Sequence, residues 1–409
     1  MSSDWDAKRL GDLCELRAGS AFPQRYQGKR VGEYPFIKVS DLSDSGNGLF
    51  IRGAPNWVDE DERLALKAKP FPRGAVVFAK IGEGLKRNRR RLLLQPTLLD
   101  NNLMGAIPRA AVIEPRFLHH AMSQIDLGEV AGGSALPYLT ARDLGEIVIA
   151  VPPLAEQRRI AGVLGALDDK IEHNLLLRGR CQELAGSFFD EFFRGESGRH
   201  PLAEIVDVHK TSLVPARTPD QVFEHYSIPA FDAAEVPARE HGAAILSSKT
   251  LLPSGISLLA SKLNPATPRI WWVHPSKAET AVCSSEFIVL RSTGEYPASF
   301  IYASLRHDNA LYDEILSHVT GTTGSRQRVK PADVLACSVL KPPSDQVARF
   351  DSVARPLYER AMRALGESLR LGAIRDALLP KLVSGRIRVP ESYDPDDVLG
   401  TVVEQAAAS

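Results

Sequence analysis

The densest run of chemistry-bearing side chains lies between Lys80 and Arg91. There Lys80, Lys86, Arg87, Arg89, Arg90 and Arg91 face only Glu83, six minus one, or +5. Clustered cations suit phosphate oxygens, and arginine also suits the paired acceptors of guanine. Gly82 and Gly84, on either side of the acid, predict an exposed loop. The bland reading of any such run is a solvated face. A second basic loop, Thr322-Thr-Gly-Ser-Arg326-Gln327-Arg328-Val-Lys330, adds two arginines, a lysine and a glutamine suited to adenine. Its bland reading is a polar hairpin. The matching stretch of the first half, Ser134-Ala-Leu-Pro-Tyr138-Leu-Thr140, lacks those bases, so the two halves are expected to use different loops.

Other candidates are weaker. Trp271 and Trp272 follow Lys262 and Arg269 and could form an aromatic and basic surface, although core packing of at least one is the stronger expectation. Asn101 and Asn102, after Asp100, suit a structural turn as well as a base contact. His119 and His120 sit on an apolar helical stretch with no ligands near them in sequence, and read as structural. Cys14, Cys181, Cys283 and Cys337 have no metal-ligand spacing, so no metal is expected.

Catalytic signatures are missing. No Asn-Pro-Pro precedes an aromatic ring; Asn264-Pro265-Ala266-Thr267 comes nearest and lacks the ring. No Gly-x-x-x-x-Gly-Lys-Ser/Thr phosphate loop is present. Carboxylates are scattered without a lysine-associated cluster of the nuclease kind. No catalytic residue and no cofactor of its own are expected. The formal net charge of zero is uneven in its distribution: Glu391, Asp394, Asp396, Asp397 and Glu404 form an acidic tail, leaving the rest of the chain basic. The first ten residues carry Asp4, Asp6, Lys8 and Arg9 and do not resemble a signal peptide, and no apolar run approaches the roughly 20 residues of a membrane span. A cytoplasmic, reduced protein without a membrane partner is expected.

The elements that must position these residues occur twice. Leu10-Gly-Asp-Leu-Cys-Glu-Leu16 answers Leu202-Ala-Glu-Ile-Val-Asp-Val208, and Tyr34-Pro-Phe-Ile-Lys-Val-Ser-Asp41 answers Tyr226-Ser-Ile-Pro-Ala-Phe-Asp232. Pro72-Arg-Gly-Ala-Val-Val-Phe-Ala79 answers Pro253-Ser-Gly-Ile-Ser-Leu-Leu-Ala260, each reading as a turn feeding a buried strand. Asp100-Asn-Asn-Leu-Met104 answers Ser284-Ser-Glu-Phe-Ile-Val289, and the helical Pro115–Met122 answers Ala298–Leu305. Each half closes on a Gly-Ser turn and a strand ending in Pro-Pro, at 152–153 and 342–343.

A long helix follows each Pro-Pro, because proline is cheap only in a first turn. In the first, Ile160, Leu164, Leu167, Ile171, Asn174, Cys181, Ala185, Phe188 and Phe192 step by three and four, with Arg178 breaking the row. This is a coiled-coil seam in which Asn174 would set register. In the second, Tyr358, Met362, Leu365 and Leu369 keep the spacing, and Pro356 predicts a kink. Forty helical residues would span roughly 60 Å, a spacer and not a domain core. The expected architecture is an α+β fold with a pseudo-two-fold internal repeat: two α/β globules separated by two long antiparallel coiled-coil helices. The divisions fall at 1–153, 154–195, 196–343, 344–390 and a tail at 391–409 without fixed structure.

This plan, with Pro152-Pro-Leu-Ala-Glu-Gln-Arg-Arg-Ile-Ala161 opening a long helix, resembles the specificity subunits of Type I restriction-modification systems. The resemblance runs from Trp5 to about Pro390, and Pro-Leu-x-Glu-Gln-x-x-Ile is its most characteristic motif. The second copy, Pro343-Ser-Asp-Gln-Val-Ala-Arg-Phe350, has lost the Glu-Gln pair in phase. Leu378-Leu-Pro-Lys-Leu-Val-Ser-Gly-Arg-Ile387 resembles the family ending, a helix followed by a short strand. The resemblance implies two target-recognition domains that each read half of a split, asymmetric site on double-stranded DNA, with helices acting as a ruler. It implies docking of two modification subunits that carry S-adenosylmethionine and methylate adenine, and of restriction subunits that use ATP and Mg2+. Under it, Lys80, Lys86, Arg87, Arg89, Arg90, Arg91, Lys262, Arg269, Arg326, Gln327, Arg328 and Lys330 are the expected DNA contacts. Ile160 to Asn174 and Tyr358 to Leu369 are the expected docking and coiled-coil positions. The rival readings are a stand-alone DNA-modifying enzyme with a divergent site and an orphan DNA-binding protein.

Overall fold

A computed structural model of the chain describes residues 5–43, 48–131, 137–275, 277–321 and 327–393. Most of the acidic tail, the Gly132-Gly-Ser134 turn and Arg326 lie outside the described residues. The chain divides into two compact units, Met1–Leu176 with Ala364–Ser409, and Leu177–Arg363.

In the first unit β1 (Asp6–Arg9) pairs antiparallel with β10 (Val148–Val151), and α1 (Leu10–Leu13) leads into β2 (Cys14–Ala18). A sheet runs in the order β2, β9 (Leu103–Pro108), β6 (Val76–Ala79), β7 (Arg90–Leu93), β4 (Phe50–Ile51). Beside it, β3 (Tyr34–Ile37) lies between β5 (Trp57–Val58) and a parallel β8 (Leu98–Leu99). A short helix α2 (Glu60–Ala65) begins on an Asp59/Glu62 capping box, and α3 (Gly82–Lys86) follows β6. Then come α4 (Pro115–Ser123), α5 (Leu127–Val130) and α6 (Ala141–Gly145), each started by a side-chain cap from Glu114, Asp126 or Thr140.

The second unit repeats this order. Its main sheet runs β12 (Val206–His209), β20 (Phe287–Ser292), β17 (Ser257–Ser261), β18 (Ile270–Val273). Its second sheet runs β13 (Ser212–Leu213), β16 (Lys249–Leu251), β19 (Ala281–Cys283), β14 (Val222–Tyr226), β15 (Ala238–His241), with β14 and β19 parallel as β3 and β8 are. β11 (Arg199–Pro201) pairs with β21 (Ser338–Leu340) as β1 does with β10. Helices α8 (Ile228–Ala234), α9 (Ala298–His307), α10 (Asn309–Ser317) and α11 (Pro331–Ala336) complete it, α9 and α11 standing where α4 and α6 stand in the first unit.

The central strand is apolar along its length because both faces are covered. Val76 and Phe78 enter the core beneath α4, whereas Val77 and Ala79 enter a second core with Ile37, Phe71 and Leu99. In the second unit Trp271 and Trp272 point to opposite faces of β18, as neighbours on a strand must, and both are buried. They do not form an aromatic surface.

Two long helices, α7 (Leu154–Phe192) and α12 (Ser344–Val383), belong to both units. α12 runs on through Pro356 without ending. Within the first unit they are antiparallel: Asp168 meets Arg375 and Asn174 donates to Glu367 at 2.9 Å. Their segments do more than space the globules. Ile160, Ala161 and Leu164 of α7 with Leu379 and Leu382 of α12 are built into the core that holds Phe78 and Phe117. In the second unit Ala185, Phe189, Phe193, Phe350, Ala354 and Tyr358 do the same. Two expectations of register are corrected. Phe189 on α7 and Phe193 just past its end, not Phe188 and Phe192, are the buried rings. Leu369 is 43% exposed, and Ser368 takes the buried position. Among the described residues after Val383 there is no strand; Gly385 takes a positive φ of 70° and the Ile387 N–H closes on the Lys381 carbonyl.

The Glu-Gln pair of the helix-opening motif has a direct structural use. Gln157 is buried with its amide fully engaged: Oε1 accepts the Glu114 N–H at 2.9 Å, and Nε2 donates to the carbonyls of Pro152 and Val112 at 2.8 and 3.2 Å. Glu156 accepts from the Trp5 indole at 3.2 Å and from Arg388 at 2.8 and 2.9 Å.

Candidate nucleic-acid interface

The strand that leaves β6 and the one that leaves β17 end in the same construction. In the first unit the Lys80 N–H donates to the Asn102 carbonyl at 3.0 Å, Leu139 N–H to the Lys80 carbonyl at 2.8 Å, and Gly82 N–H to the Pro137 carbonyl at 3.0 Å. In the second, Lys262 N–H donates to Glu286, Val329 N–H to Lys262, and Asn264 N–H to Gln327, at 2.8, 3.1 and 2.8 Å. Gly82 and Asn264 share the left-handed conformation, with φ of 64° and 49°, which the turn requires and which these two residue types tolerate. Lys80, Asn102 and Tyr138 of one edge therefore correspond to Lys262, Glu286 and Arg328 of the other.

The side chains at these shared places differ. Lys80 lies 5.3 Å from the centre of the Tyr138 ring, which is 49% exposed. At the second edge Arg328 is exposed and forks onto Glu286, Nε to Oε2 at 3.2 Å and Nη2 to Oε1 at 3.0 Å, with Gln327 half-buried and Lys330 exposed beside it. One edge offers a lysine and an exposed aromatic; the other offers a lysine, an arginine held in orientation by a carboxylate, and an amide. Tyr138, Asn102 and Glu286 as partners of the lysines were not singled out from sequence, because non-local bridges and not neighbours bring them there.

The remaining basic residues separate. Lys86 is exposed and paired with Glu83 at 2.6 Å, Arg87 is exposed with Ser43 Oγ at 3.5 Å, and Arg89 is exposed. Arg90 is a correction: it is 5% exposed, and its guanidinium is tied to the carbonyls of Asn88, at 3.1 Å, and Ile125. Alternation along β7 turns it toward α4, so it cannot reach a base edge. Arg91 is half-buried. Arg269 is the second correction, its guanidinium being occupied by both oxygens of Asp232 at 2.5 and 2.9 Å.

His119 and His120 on α4 have structural surroundings, yet they titrate abnormally. Burial, with Arg90, Arg91 and Arg375 close by, holds His119 down at about 3, and burial holds His120 well below its ordinary value. His120 Nε2 lies 3.4 Å from Asp168, whose carboxyl burial raises. An unfolded histidine binds a proton near pH 6.5 that folded His119 refuses, so stability should fall as pH drops below 6.5 toward 3, by at most about 1.4 kcal/mol per pH unit for one proton. Melting between pH 7 and 5 should show this slope. His119→Gln should flatten it by about one proton, and an unchanged slope would rule His119 out as its source.

One further cluster is absent from the sequence reading: ligand atoms of Glu314, His318 and Cys337 lie within 4.8 Å of one another. Glu314 already accepts the Ser338 N–H at 2.7 Å, the Cys337 thiol donates to the Asp333 carbonyl at 3.1 Å, and burial pushes that thiol up to about 11. These contacts join α10, α11 and β21.

Residues 2–178 match the family model described as the Type I restriction modification DNA specificity domain. The MjaIX specificity subunit of Methanocaldococcus jannaschii is 26% identical, over 95% of this chain and 94% of that protein. Residues 2–178 thus match the Type I specificity domain, and nearly the whole chain is similar to a Type I specificity subunit. The HindI specificity subunit of Haemophilus influenzae is 22% identical over 47% of this chain and 41% of its own. In fold, the chain is similar to the crystal structure of a Type I S subunit from M. genitalium, with a TM-score of 0.59, 14% identity, and coverage of 93% and 96% of the two chains. Members of the family are non-catalytic subunits that carry DNA recognition. Among the described residues no helix is long and apolar enough to cross a membrane.

Proposed function

We propose that this chain, as a specificity subunit, reads a split, asymmetric DNA site in the cytoplasm, one half through each target-recognition domain, 1–153 and 196–343. The observation that carries the reading is the edge built twice on the same backbone bonds with different side chains, Tyr138 and Asn102 against Arg328 and Glu286. One scaffold with two contact sets suits two unlike half-sites, since base contacts specify and phosphate contacts position. Lys80, Lys262, Lys86, Arg87, Arg89 and Lys330 then contact phosphates, and Gln327 and Arg328, with Arg326 beside them, contact bases. Arg90 and Arg91 shape the loop from within, and Arg269 braces β18.

The helices at 154–195 and 344–390 set the spacing and receive two modification subunits, which bring S-adenosylmethionine; restriction subunits join with ATP and Mg2+. Exposed Leu175, Leu176, Leu184, Leu369 and Ile374 support docking, because large apolar side chains at the surface of long helices favour helical partners.

Co-expression with the neighbouring modification subunit and single-molecule mapping of methylated adenine tests the reading. A split motif should appear only with both proteins present. Arg328→Ala should relax one half-site by about 1–3 kcal/mol of discrimination and leave the other intact, whereas Lys80→Ala should weaken binding to all sequences and reduce the salt slope by about 1. A stable complex that methylates without site preference would defeat the proposal, and failure to form any complex would favour an orphan DNA-binding protein.

A further inference from the structure

A cleft of about 440 Å³ opens in the first unit between the start of β7, α4 and the two long helices. Its wall is strongly cationic. Arg89, Arg90, Arg91 and Arg375 line it together with Asp168 and His119. Of the two lining carboxylates, Asp376 Oδ1 and Asp168 Oδ1 accept from Arg375 at 2.8 and 2.9 Å, and Asp168 Oδ2, 3.4 Å from His120 Nε2, has no hydrogen-bond partner among the described residues. Among the described residues no carboxylate lies within ion-pair distance of Arg89, Arg90 or Arg91.

Four guanidiniums against two carboxylates leave a surplus of two positive charges, and two of the guanidiniums, those of Arg90 and Arg91, are held in place. Arg90 is buried and fixed by two carbonyls, and its Nε has no hydrogen-bond partner. Arg91 donates from Nη1 to the Arg90 carbonyl at 3.0 Å, and its Nε is also unpartnered, as is Nδ1 of His119. A buried cation with no acid in contact is costly: burial pushes Arg90 down to about 10 against an opposing pull from Asp126, and burial, with Arg89 close by, lowers Arg91 against Glu172. Elsewhere the chain meets the same difficulty with an acid in contact, as at Asp232 and Arg269; here, among the described residues, no acid touches the three arginines, and they face the cleft.

We propose that this cleft binds a phosphate group, seated on Arg89, Arg90 and Arg91. Planar guanidinium forks match the oxygens of a tetrahedral oxyanion, and the cleft has the volume of a small-ligand site. The group belongs either to a soluble phosphate ester or to the DNA backbone beside the Lys86–Arg87 loop. The proposal stands whether or not the edges at Lys80 and Lys262 read DNA.

Calorimetric titration of the full chain with pyrophosphate at low salt is the test. Saturable binding at one site is expected. It should be weakened at least tenfold in the double variant Arg89→Ala/Arg91→Gln and within twofold of normal in Arg73→Ala, which removes an equal charge at an exposed position outside the cleft. Arg89→Ala alone, at an exposed position, should weaken it without disturbing the fold. Equal binding by all variants, or no saturable binding, would overturn the site. Displacement of pyrophosphate by a short DNA duplex would identify the backbone as the source, and simultaneous binding of both would identify a soluble ester.

Discussion

Gln157→Ala should lower the unfolding free energy of the first unit by about 3 kcal/mol, a large effect for an uncharged residue at a helix start. The amide stands where three backbone groups converge, the Glu114 N–H and the carbonyls of Val112 and Pro152. Alanine leaves them in a buried place with no donor or acceptor to replace it, and each orphan costs about 1–3 kcal/mol unless water enters. The bonds also hold α4 and the Pro152-Pro153 turn to the first turn of α7. A calorimetric melt of the variant should show the loss. Gln157→Glu should be nearly as damaging, because it keeps one acceptor but removes both donors. A change under about 1 kcal/mol would mean that water substitutes for the side chain.

In the second unit, Phe350→Ala should cost about 4 kcal/mol. The ring is fully buried, with ring centres of Phe193, Phe189 and Phe192 at 5.3, 5.9 and 6.0 Å. Its removal opens a cavity lined by the rings of Phe189 and Phe192 on α7 and of Phe193 just past its end. Phe350→Leu keeps most of the volume and should lose only about 1 kcal/mol. Denaturant unfolding of both variants measures the difference, and equal losses would show that ring-to-ring geometry outweighs volume.

The helix-opening motif shows how much was legible in the sequence. Pro-Leu-x-Glu-Gln marks the start of α7 from local rules alone, since proline belongs in a first turn, and the apolar steps to Ile160 and Leu164 place a buried face. What the motif's Glu and Gln do was not legible: Glu156 is met by Trp5 and Arg388, 151 and 232 residues away in sequence. The seam erred at Phe188 and Leu369 for a related reason. A spacing of three and four describes a helix that faces one partner. Here each end of α7 and α12 faces a sheet-backed core as well as the other helix, and the buried stripe widens and turns. Buried acids on α7, Asp168 and Glu172, break the apolar pattern and are legible only with the arginines that reach them, Arg375 and Arg52.

The candidate interface divides in the same way. Charge density marked the 80–91 run, but Arg90, the first residue of β7, points inward while Arg89, just before the strand, stays exposed, and one basic cluster becomes an outer set and a cleft. The sequence by itself determined the duplication, the strands that repeat and the helix starts, because these rest on local conformational preference and on periodicity, and its helix-opening motif carried the family resemblance. Only the tertiary structure decided which cations reach solvent and that Lys80 and Lys262 occupy equivalent edges. It alone placed Tyr138 and Arg328 beside them, since those contacts are made by backbone bridges between segments far apart in the chain, whose geometry no local pattern carries.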